Sequence, residues 1–148
     1  MPANPSQKLK LAAAALCAVA LVASGCGGSS YKSKVEDAAK DFKNTSTDAG
    51  TKLRNAKTKP QFAAGVNEFQ GAVRTFNSKL QSLTPPSDAK AAQARLISVL
   101  NTFSSDVGAV RDALNGGDIG QIQTLQGKVV SDVGAVQSAA KELQDKAD

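Results

Sequence analysis

The sequence predicts an all-α, up-down-up-down four-helix bundle, and three observations carry that expectation. Apolar residues recur at alternating spacings of four and three along several long runs, the a/d pattern of helices that share a core. The runs are separated by short proline- or glycine-bearing stretches at 57–60, 83–88 and 115–118. No segment alternates apolar and polar residues as a half-buried strand would. Four helices of similar length joined by connections this short can only fold back on their neighbours, which makes the bundle antiparallel.

The chain opens with residues 1–25, read as an export signal. Lys8 and Lys10 stand in a polar start, and "LAAAALCAVALVAS" comes next as an unbroken small and apolar run. That run is roughly 14 residues, whereas a helix crossing the bilayer needs about 20. A removable signal is therefore expected in place of a lasting membrane span. Residues 26–31 are expected to be Cys26 and a short flexible tether, since Gly27 to Ser30 are small and polar. Residues 32–148 are sized for one domain.

Within that domain the first helix is the least regular. Val35, Phe42, Ala49 and Ala56 form one row and Ala39, Ser46 and Leu53 another, while "NTSTDAGT" at 44–51 collects poor helix formers that threaten a kink. The second helix carries the clearest seam, in Phe62, Val66, Phe69, Val73, Phe76, Leu80 and Leu83. The third presents Ala89, Ala92, Leu96, Val99, Phe103, Val107, Val110 and Leu114. The fourth presents Ile119, Ile122, Val129, Val133, Val136, Ala140 and Leu143. Ser87, Asp88 and Asp118 stand where helix caps are wanted. Counting back from each turn sets Phe42 near Phe76, Phe76 near Leu96 and Phe69 near Phe103. The hexapeptide "SDVGAV" occurs at 105–110 and again at 131–136. Its glycines are expected to serve packing, Gly108 at the level of Leu125 and Gly134 at that of Val99.

The chemistry available is narrow. There is no histidine, and the only cysteine beyond the signal segment is Cys26. Histidine-dependent triads and zinc sites have no ligands to draw on, and no cofactor or metal is expected. "GQIQTLQGKVV" lacks the spacing and the Ser or Thr of a phosphate-binding loop. The acidic candidates Glu36, Glu68 and Glu142 fall on polar faces of different helices, so a carboxylate-only hydrolase is the weakest of the functional readings. Formal charge is +5, and residues 31–60 hold eight basic and four acidic side chains, an excess expected nearest the amino-terminal end. With one tyrosine, no tryptophan and no arginine cluster, nucleic-acid binding has no support.

"Val22-Ala23-Ser24-Gly25-Cys26" resembles the lipobox of bacterial lipoproteins, with Ala23 where leucine is commonest. Together with "LQSLTPPSD" at 80–88 and "ALNGGD" at 113–118, the whole chain is similar to small helical lipoproteins of actinobacteria. The resemblance implies cleavage between Gly25 and Cys26 and a diacylglyceryl thioether on Cys26. It further implies attachment to the extracytoplasmic face of the cell membrane. The expected function is a non-enzymatic, membrane-tethered module that binds or scaffolds another envelope protein. The alternative is a carrier for a lipid or other apolar small molecule held between the helices beside the Phe62, Phe69, Phe76 row.

Overall fold

The computed structural model describes residues 30–147, and within them all regular structure is helical. Four helices succeed one another: α1 (Ser30–Asn55), α2 (Lys59–Ser82), α3 (Lys90–Gly116) and α4 (Ile119–Lys146). Each packs along the next in sequence, α1 on α2, α2 on α3 and α3 on α4. The expected up-down-up-down bundle is the fold.

All five phenylalanines lie inside it. Four of the rings, those of Phe42, Phe76, Phe69 and Phe103, run as a chain across three helices. Phe42 of α1 stacks on Phe76 of α2 at 4.8 Å between centroids. Phe42 also tilts against Phe69 at 6.4 Å, and Phe69 meets Phe103 of α3 edge-on at 5.2 Å. Such offset and edge contacts each contribute about 1 kcal/mol beyond the area they bury.

The α1–α2 seam closes tightly because one residue has no side chain. A Cβ on Gly65 would stand 2.8 Å from Cγ and 2.9 Å from Cδ2 of Leu53, itself 1% exposed. The α2–α3 seam is tied instead by amides. Asn77 donates to Asn101 Oδ1 at 2.8 Å, Gln70 to the Ser104 carbonyl at 3.1 Å, and Arg111 to Asn67 Oδ1 at 2.8 Å.

Several expectations are corrected. The weak stretch 44–51 does not split α1, which is continuous over 26 residues. Thr45, Thr47 and Thr51 return their hydroxyls to the carbonyls of Asp41, Lys43 and Thr47, and Ser46, Ala49 and Gly50 are buried, so packing overrides propensity. Two residues placed in the tether, Ser30 and Tyr31, are already helical. Positive charge does not gather at the amino-terminal end: Lys32, Lys34 and Lys40 are interleaved with Glu36, Asp37 and Asp41. Lys52, Arg54, Lys57 and Lys59 fall at the opposite end, the first of them about 33 Å along the helix from Ser30.

Ile119 is 64% exposed and leaves the α4 seam, in which Leu125 and Ala139 are buried as well. Leu100 and Ala113 do the same for α3, where Val99 and Leu114 are only partly buried.

The caps explain where each helix begins. Asp118 accepts from Gln121 N–H at 2.9 Å, as expected. Just ahead of it Gly117, at φ +75°, ends α3 in a left-handed conformation. There Gly117 N–H donates to Leu114 and Asp118 N–H to Ala113, so the last carbonyls of α3 are satisfied. Ser87 and Asp88 do not cap α3. That helix starts after Ala89 with no side-chain cap, and the Pro86 carbonyl accepts from Ala89 and Lys90 instead. The cap of α2 is Thr58, whose hydroxyl accepts from Gln61 N–H at 3.4 Å while the Gln61 side chain accepts from Lys57 N–H at 2.8 Å.

The α3–α4 register differs from turn counting by about one helical turn. Arg95 pairs with Glu142 at 2.7 Å, and Asp106 lies against Asp132. Gly108 therefore does not face Leu125. A Cβ there would come 2.7 Å from Gln70 Nε2 of α2, and one on Gly134 would meet nothing within 4 Å.

Candidate functional site

Gly25 and Cys26, the residues of the expected cleavage and lipid attachment, lie outside the described residues. Tyr31, in the first turn of α1, is 6% exposed and donates its hydroxyl to Gln93 Oε1 of α3 at 2.7 Å. Burial pushes the phenol up from its ordinary value, so it stays a donor. This bond fixes the start of α1 against the start of α3.

The acidic candidates are not assembled into a catalytic set. Glu68 is held by Lys52 and Glu142 by Arg95, each at 2.7 Å. Glu68 belongs to the half of the bundle near the α1–α2 turn, Glu142 to the opposite end, and Glu36 to the second turn of α1 with a buried Oε1 that has no partner. Among the described residues no three His, Cys, Asp or Glu side chains converge as a metal ion would require. No helix among them is long and apolar enough to cross a membrane.

Two carboxylates do meet, and sequence reasoning does not pair them. Asp106 of α3 and Asp132 of α4 are within hydrogen-bonding reach of each other across the seam. Each is the second residue of a "SDVGAV" hexapeptide. Asp132 Oδ2 is buried and has no partner. Burial raises the Asp132 carboxyl above its ordinary value, the Asp106 charge and hydrogen bond raise it further, and Lys128 one turn back opposes them. The repeat is the available signal; a register displaced by one turn hides its meaning.

A groove of about 310 Å³ lies between α1 and α2. Phe42, Phe76, Ala38 and Ala72 form its apolar floor, and Thr45, Thr75 and Glu68 stand at its rim. The Asp41–Lys79 pair, at 2.6 Å, closes one side, and Lys79 holds the Asp41 carboxyl below its ordinary value, chiefly by the hydrogen bond. Gly71, which has no side chain, lines the groove as well. The Phe62, Phe69, Phe76 row itself is closed: those rings are 3%, 0% and 2% exposed and pack as core.

Comparison with protein-family models, with curated proteins and with solved structures finds no match for this chain.

Proposed function

We propose that the chain is a lipid-anchored, non-enzymatic binding or scaffolding module on the extracytoplasmic face of a bacterial cell membrane. The observation that carries this reading is Cys26, which closes the lipobox-like "VASGC" after a signal-type apolar run and stands four residues before α1 begins at Ser30. Two acyl chains on that sulfur would hold stably where one holds only reversibly, because each buried CH₂ contributes about 0.8 kcal/mol. In this reading the end of the bundle bearing Ser30 faces the membrane. The turns at 56–58 and 117–118 then point away from it, toward a protein partner.

A second reading, a carrier of an apolar small molecule, is favoured by the α1–α2 groove, whose volume sits at the lower end of the range of ligand pockets. It would place the ligand over Phe42 and Phe76 in the groove between α1 and α2, and not between the packed rings of the Phe62, Phe69, Phe76 row.

Both are tested on the native protein extracted from membranes beside a Cys26→Ala variant. The anchored reading expects a diacylglyceryl-sized addition on wild type, and membrane partitioning that the variant loses. Wild type that is unmodified and soluble refutes it. Native mass spectrometry of the same wild-type sample decides the second reading: a bound small-molecule mass supports a carrier, and apo protein alone argues for a module that binds other proteins.

A further inference from the structure

We propose that Asp106 and Asp132 form a proton-operated latch across the α3–α4 seam, drawing this hairpin together in mildly acidic surroundings and slackening it at neutral pH. The inference stands on the seam alone and does not depend on the anchor at Cys26.

The geometry supplies the parts. The two carboxyl groups meet across an interface between helices that pack along each other, and one oxygen, Asp132 Oδ2, is shut from solvent without a partner. When both groups are ionised, two negative charges face each other and the buried oxygen accepts nothing. Taking up one proton from solvent on Asp132 creates an O–H that donates to the Asp106 carboxylate, so repulsion becomes a hydrogen bond. Asp106 from α3 and Lys128 from α4 are the charged groups acting on Asp132, and they pull in opposite directions. Arg111, the next cation along α3, is engaged elsewhere, with Asn67 of α2 and with Asp112. It does not neutralise the pair.

Linkage gives the sign. The folded state holds the Asp132 proton more tightly than the unfolded chain does, so the stability that the proton brings grows as pH falls through the folded value. That gain is complete once pH is below the ordinary aspartate value, about 3.9. Asp41 and Asp112, whose values are lowered by Lys79 and Arg111, act oppositely and mainly below that point. Between neutral pH and about 4, therefore, the latch sets the slope.

The test is urea unfolding of the full chain at about pH 7.5 and about pH 4.5, with Asp132→Asn and Asp106→Asn alongside. For wild type the unfolding equilibrium constant is expected to fall about threefold or more on acidification. Each variant is expected to be the more stable protein at the higher pH and to lose that gain. A variant that keeps the whole wild-type gain, or a wild type that gains nothing, overturns the proposal. Should neither variant fold, the carboxyl ¹³C titration of Asp132 in wild type decides: a midpoint above that of ordinary aspartate upholds the latch, and one at or below it removes it.

Discussion

Individual glycines do opposite things in this bundle, and what a Cβ would touch separates them. At Gly65 an added methyl meets Leu53, which is enclosed and has nowhere to move, so helix propensity and packing conflict. Overpacking costs about 1–3 kcal/mol and outweighs the roughly 1 kcal/mol an alanine gains in a helix interior. At Gly127 and Gly134 nothing lies within 4 Å, and only the propensity gain remains. Gly65→Ala is thus expected to lower the urea midpoint, while Gly127→Ala and Gly134→Ala each raise it by up to about 1 kcal/mol of stability. That distinction is not readable in the sequence. The "SDVGAV" repeat points to a packing role for Gly134, yet that residue is exposed, whereas Gly65, in no repeat, is the glycine on which close helix approach depends.

At the scale of the elements, helix existence is legible in the sequence and helix ends are only partly so. The seam residues Phe62 to Leu80 locate α2 because their spacing reports burial directly. Caps are single side chains whose geometry depends on where the backbone turns. Asp118 fits, since Gly117 delivers it into position, but the double proline at 85–86 carries the chain past Ser87 and Asp88 before α3 starts. Asp118→Ala should therefore cost about 1 kcal/mol in chemical unfolding, the usual loss for a working cap, while Ser87→Ala should stay within about 0.5 kcal/mol. The fate of 44–51 teaches the converse. Threonines and a glycine that argue locally against a helix are held helical by the burial of Ser46, Ala49 and Gly50 along the same stretch.

For the molecule as a whole, the rings of Phe42, Phe76, Phe69 and Phe103 join three of the four helices into one core, with Phe69 in contact with rings on both sides. Removing that ring costs about 3–5 kcal/mol, a large share of the about 5–15 kcal/mol that holds a domain together. Phe69→Ala is expected to lose a comparable amount in urea unfolding, with the transition staying cooperative because no separate core remains to unfold alone. The level at which helices face each other is legible for α1 against α2 and α2 against α3, where large rings mark it. It fails by one turn for α3 against α4, because α4 carries no aromatic ring to mark the level. The carboxylate pair is hidden from the sequence for that reason.

The bond between Tyr31 and Gln93 has a mechanical meaning. In an up-down bundle the start of the first helix and the end of the fourth lie at the same pole, so a pull on the start of α1 does not slide it along its neighbours; it peels α1 away one turn at a time. Among the described residues Tyr31 is the first buried side chain that such a load reaches, and its hydroxyl hands the strain to α3, a helix two elements away in sequence. The bundle is thus built to share tension at its leading edge, and the resistance of α1 to unzipping begins at a single phenol.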